Sequence, residues 1–167
     1  MGAITKLIDA ILFFNFLVMA MVTPLIDSQT CLPANIYPDV LINARKWYSQ
    51  ECGDYLYSEM PHFFVGMVWI ELLFHWPLVL SGLYGISASK SWVSTTCLIY
   101  GTSVSTCMVA VLAELLGSGK ALNVLLMNYY PSLVVGILAI LRGLMPCSAK
   151  AASATGGRPA MSSKKRA

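Results

Sequence analysis

Residues 63–84 read FFVGMVWIELLFHWPLVLSGLY, an apolar run in which Glu71 is the only carboxylate and His75 the only imidazole. In helical form a run of roughly 20 residues, rising about 1.5 Å each, crosses a hydrocarbon layer of about 30 Å. Three further runs have the same character: Leu7 to Ile26, Val93 to Leu116 and Ala121 to Leu144. With no water in a bilayer to satisfy backbone amides, each run is expected to be a helix. The expected fold is therefore an all-α membrane protein, a four-helix transmembrane bundle over residues 7–144. Pro24, Pro77 and Pro131 fall inside spans, where they are expected to kink the helices and free carbonyls.

Composition agrees. Of 167 residues, 57% are hydrophobic and 11% charged, whereas a soluble domain carries about a quarter charged residues. The net charge of +3 comes without a Lys/Arg stripe interleaved with aromatics, so nucleic acid is not an expected partner. Counting Lys and Arg by side gives eight (Lys6, Lys90, Arg142, Lys150, Arg158, Lys164, Lys165 and Arg166) against three (Arg45, Lys46 and Lys120). The richer side, with both termini, is expected to be cytoplasmic. A cleaved signal peptide is a competing reading of the first run, with Val18-Met19-Ala20 as the small-residue site. The run is long for a signal core of about 7 to 15 residues, and its removal would divide the charge bias between sides.

The tail after Leu144, residues 145–167, is rich in Ala, Ser, Gly and Lys and is expected to be disordered. Its end, Lys164-Lys165-Arg166-Ala167, fits a dilysine retrieval address for the endoplasmic reticulum, readable only from the cytoplasm. Cys31 and Cys52 share the long loop between the first two spans, where oxidation is permitted, and their spacing leaves the pairing open. No metal-ligand spacing and no nucleotide or hydrolase motif occurs, so no metal or cofactor is expected.

Glu71 is the most informative residue, since a carboxylate inside a span costs about 2.5–3.5 kcal/mol or more unless compensated. His75 follows four residues later on the same helical face. A buried Glu-His pair that only fixes helix packing is one reading, and a polar spot on the wall of a ligand cavity is the other. Glu71 is expected about 12 Å below the lumenal start of its span. Asp27 closes the lumenal end of the first span and Asp54 lies in the returning loop, so a bundle can gather all three acids. Burial and an ionised Asp27 nearby lead us to expect a neutral Glu71 that donates to Asp27. In the loop, Val40, Leu41, Ala44, Trp47 and Tyr48 recur on one helical face with Arg45 and Gln50 off it. This short amphipathic helix is expected to lie on the lumenal membrane surface as a lid. An apolar chamber with carboxylates beneath it suits an elongated hydrophobic molecule or a lipophilic amine.

The stretches LIDSQTCLPANIYP, ARKWYSQECGDYL and WIELLFHWPL resemble the sigma-2 receptor (transmembrane protein 97) family of the EXPERA-domain group, which includes the emopamil-binding sterol isomerase. The resemblance runs from about Leu7 to Leu144. It implies an endoplasmic reticulum protein, present also in endosomal or lysosomal membranes, with an occluded pocket for sterols and cationic amphiphiles. By position Asp27 resembles the acid that pairs with a ligand amine, and Glu71 the carboxylate that orients it. Asp54 resembles a second acid needed for binding through loop structure, and Tyr129 an aromatic pocket wall. The chain departs from the family pattern at His75, Ser132 and Cys107, where Gln, Tyr and Thr are common. The resemblance further implies a homodimer and a lysosomal sterol transporter as partner. The function expected is non-enzymatic sterol binding in intracellular sterol homeostasis. The alternative is a sterol double-bond isomerase with Glu71 and His75 as acid and base.

Overall fold

The structure, a computed structural model, describes residues 2–119 and 123–145. The dilysine pair Lys164 and Lys165 lies outside the described residues. In chain order the helices are α1 (Ala3–Leu25), α2 (Asp39–Cys52), α3 (Tyr55–Glu59), α4 (His62–Ile70), α5 (Trp76–Ser87), α6 (Val93–Gly117) and α7 (Asn123–Leu144). Four helical stretches are long and apolar enough to cross a membrane: Ala3–Thr30, His62–Ser87, Val93–Gly117 and Val124–Leu144. No strand occurs among the described residues.

The side chains are sorted as lipid requires. Leu73 and Met127 are 70% and 74% exposed, while Thr23, Asp27, Asp54, His75 and Arg142 are buried. Water would favour the reverse. Two apolar clusters fill the bundle. One joins Leu12, Phe16, Val79, Cys97, Tyr100 and Ala139, and the other Leu56, Phe64, Val68, Val111, Leu115 and Leu125.

The second span is continuous from His62 to Ser87 but contains a π turn, Glu71–His75, between α4 and α5. Its position follows from Pro77. In a regular α-helix the proline ring would press on the carbonyl of Leu73 and leave it without an amide donor. A wider turn directly before the proline absorbs both defects, and such turns recur at functional sites.

The long loop is built from local signals. Pro38 stands before the first residue of α2, Gly53 ends that helix at φ 62°, and Asp54 caps α3 by accepting from the Leu56 amide. The inward side of α2 carries Leu41, Ile42, Arg45, Tyr48 and Ser49, each partly buried. Val40 and Trp47, on the expected apolar face, are 76% and 65% exposed. Arg45 is turned in because its Nη2 donates to Thr30 Oγ1 at 3.1 Å and its guanidinium stacks over the Tyr57 ring at 5.3 Å. Cys31 and Cys52 are both free thiols.

At the end away from this loop, Arg142 Nε donates to Asp9 Oδ1 at 2.5 Å and Nη1 to Ser94 Oγ at 3.2 Å. The start of α1 and the end of α7 therefore meet at one end of the bundle. Arg142, counted above as a loop charge, is buried in the interior. Helices α6 and α7 pack closest of all, and a Cβ on Gly101 would stand 2.6 Å from the Gly136 carbonyl oxygen and 2.7 Å from the Ile140 amide. Close backbone approach at small residues is how helices associate where no hydrophobic effect separates them from lipid.

Gly101→Ala is expected to lower the melting temperature in detergent, because its obstacles are backbone atoms and overpacking costs about 1–3 kcal/mol, outweighing the ~1 kcal/mol that Ala gains in helix propensity. Gly66→Ala, where an added Cβ meets nothing within 4 Å, should leave stability unchanged or raised. Equal melting of the two variants would refute the close approach.

Candidate functional site

Each acid expected at the site is met by a hydroxyl. Thr23, one turn before Asp27 on α1, donates from Oγ1 to Glu71 Oε1 at 2.9 Å. Tyr57 on α3 donates its phenol to Asp27 Oδ1 at 2.5 Å. Tyr129 on α7 donates to Asp54 Oδ2 at 3.0 Å. The Asp27 and Glu71 side chains both line one vestibule.

Behind these acids lies a chamber with a cavity volume of about 100 Å³. α1 contributes Asn15, Met19 and Thr23, spaced four residues apart on one stripe, and the second span contributes Val68, Glu71, His75 and Val79. α6 and α7 close it with Tyr100, Cys107, Tyr129 and Ser132 among others. The wall is apolar apart from the acid end and a few dipoles. Asn15 Oδ1 is buried there with no hydrogen-bond partner.

The expected site residues therefore separate into groups. Glu71, His75, Cys107 and Tyr129 face the chamber directly. Asp27 is not among the residues of that wall. It forms part of a vestibule shared with Met19, Tyr48, Asn128 and Tyr129, and of a groove between α1 and α2 that includes Val22, Ile26 and Trp47. Asp54 is 1% exposed, its carboxylate occupied by the Tyr129 hydroxyl and the Leu56 amide. Burial pushes the Asp54 carboxyl above its usual range, against the lowering pull of those donors. Burial likewise pushes the Tyr48 phenol up to about 12, with the Asp54 charge adding to it, so Tyr48 remains a donor in the vestibule.

Glu71 and His75 share a face but have separate partners. His75 Nε2 is 2.8 Å from Ser103 Oγ, and its ring packs edge-on against Tyr100 at 5.8 Å. Glu114, at the loop end of α6, accepts weakly from the Tyr55 hydroxyl at 3.4 Å. Among the described residues no cluster of His, Cys, Asp or Glu has the geometry to hold a metal.

Three residues of this site were not singled out by the sequence reading. Thr23 had a signal, lying four residues before Asp27 and so on its face. Tyr57 and Arg45 had none, because their role comes from the fold of the loop back over α1.

Residues 40–143 match the EXPERA (EXPanded EBP superfamily) family model. The chain is also similar to sigma intracellular receptor 2 of Xenopus tropicalis, 27% identical over 117 residues, covering 70% of this chain and 68% of that protein. The Macaca fascicularis and Homo sapiens proteins of the same name are each 30% identical over 115 residues, 68% of this chain and 65% of theirs. The chain thus spans about two thirds of the length of these relatives.

Asp54→Ala removes a helix cap worth about 1 kcal/mol and leaves the Tyr129 hydroxyl without its acceptor, at about 1–3 kcal/mol. It is expected to lower the melting temperature clearly, whereas Asp54→Asn, which keeps an acceptor oxygen, should lose much less. Thermal unfolding of both in the same detergent checks this, and equal losses would show that the charge rather than the bonding geometry matters.

Proposed function

The chain belongs to the EXPERA family, and we propose that it is a sterol- and lipophilic-amine-binding membrane protein, similar in role to the sigma intracellular receptor 2 proteins, that acts without catalysis. The observation that carries this reading is the apolar chamber adjoining a vestibule that Asp27 and Glu71 both line. An apolar body fills the chamber, and its polar head meets the acids. In the dry interior an ammonium beside a carboxylate gains far more than it would in water. Asp27 carries the charge, while Glu71, held by Thr23, keeps a proton and donates it as a hydrogen bond that aims the Asp27 carboxylate. Asp54 acts at a distance, by fixing α3 and Tyr129.

The resemblance and the dilysine ending Lys164-Lys165 support residence in the endoplasmic reticulum with both termini cytoplasmic, which makes the long loop lumenal. Within that compartment the protein handles intracellular sterol. A homodimer and a lysosomal sterol transporter as partner rest on the resemblance alone.

A sterol isomerase is the second reading, favoured by one observation: Glu71 and His75 both line the chamber. Against it, each is occupied by its own partner. An isomerase predicts that cells lacking the protein accumulate one sterol with a misplaced double bond, and a binding protein predicts redistribution of the end-product sterol.

Asp27→Asn removes the counter-ion without removing volume. It is expected to abolish binding of a tritiated lipophilic amine while the protein remains folded, with sterol binding affected less. Amine affinity within about threefold of wild type, under 1 kcal/mol on the affinity scale, would refute the ion-pair assignment.

A further inference from the structure

Tyr57 borders four cavities: the chamber, the vestibule, the groove between α1 and α2, and a cleft at the loop end lined by Arg45, Lys46, Ser49 and Ser58. Its ring stands at their junction. Phe64 packs edge-on against it at 5.1 Å, Tyr48 at 5.9 Å, and the Arg45 guanidinium covers its face at 5.3 Å. The phenol donates to Asp27 Oδ1 at 2.5 Å. Asp27 lines the vestibule and the groove, while Tyr57 and Glu71 line the vestibule and the chamber alike.

We propose that Tyr57 is a resident competitor for Asp27, a specificity-determining residue whose phenol occupies the position a ligand ammonium must take. The inference rests on Asp27 being the counter-ion for amines. It follows from comparing donors. A neutral ligand offers Asp27 a hydroxyl no better than the phenol already there, so it binds in the chamber with Tyr57 in place. A cation brings a charge-assisted bond, about twice as strong as a neutral one, and displaces the ring. The two ligand classes thus correspond to two positions of one side chain, and the groove and the loop-end cleft that the ring already borders give it room to turn. The phenol stays a donor throughout, because burial and the neighbouring Asp27 charge push it well above its usual value. Removal by ionisation is not how the position is vacated.

The test compares wild type, Tyr57→Phe, Tyr57→Leu and Asp27→Asn in detergent, with a tritiated N-benzylpiperidine as the cationic probe and tritiated cholesterol as the neutral one. Removing the competing hydroxyl should tighten amine binding about tenfold, the scale of one hydrogen bond to a charged acceptor, in both Tyr57 variants. Cholesterol binding should show no such gain in Tyr57→Phe, since neutral ligands do not displace the ring. Thermal unfolding identifies any variant that fails to fold, and Tyr57→Phe keeps the packing if Tyr57→Leu does not. Amine affinity unchanged or weakened in a folded Tyr57→Phe, with Asp27→Asn still losing it, overturns the competitor role and leaves the binding function standing. Amine binding absent from wild type, or retained by Asp27→Asn, overturns the binding function and the inference with it.

Discussion

The cost of a carboxylate in a low-dielectric interior organises this molecule. Asp27, Glu71 and Asp54 are removed from water, and each is met by a hydroxyl from a different element: Tyr57 from α3, Thr23 from α1 and Tyr129 from α7. Each bond therefore ties two parts of the chain. Thr23–Glu71 joins the first and second spans, Tyr57–Asp27 brings the loop back over α1, and Tyr129–Asp54 fixes that loop to the last span. Leaving any one of these groups buried and unpaired would cost about 1–3 kcal/mol, so the acids hold the loop end of the bundle in register.

The opposite end solves the same problem differently. There Asp9 and Arg142 form a buried ion pair, with Ser94 taking a further guanidinium proton. A cation in contact cancels the charge there. Hydroxyl donors satisfy the hydrogen-bonding needs of the loop-end acids, and the Arg45 guanidinium acts on Asp27 from across the Tyr57 ring rather than in contact with it. One end of the bundle thus closes on an ion pair, and the other carries acids bonded to hydroxyls.

Much of the fold is legible in the sequence because lipid imposes a simple rule on composition. The four apolar runs lie within a few residues of the observed spans, and the anomaly of Glu71 marks the interior cluster. What the sequence could not supply depends on which way a side chain turns. The apolar periodicity of the lid placed Arg45 outward, yet Thr30 and the Tyr57 ring hold it inward. Arg142 reads as a flanking charge until Asp9, distant in sequence, is brought beside it. Pro77 signals a defect in the second span but not that a π turn would absorb it. Tyr57, in a short loop helix, carries no local mark of its contact with Asp27.

The central claim is that Glu71 serves the site by holding a proton that aims Asp27. Amine affinity of Glu71→Gln and Glu71→Leu, measured with thermal stability to exclude misfolding, tests it most directly. The account predicts that Gln, which keeps a donor, retains much of the wild-type affinity while Leu loses it. Equal losses in two folded variants would contradict the account, because they would show that the site uses the charge of Glu71 and not its proton.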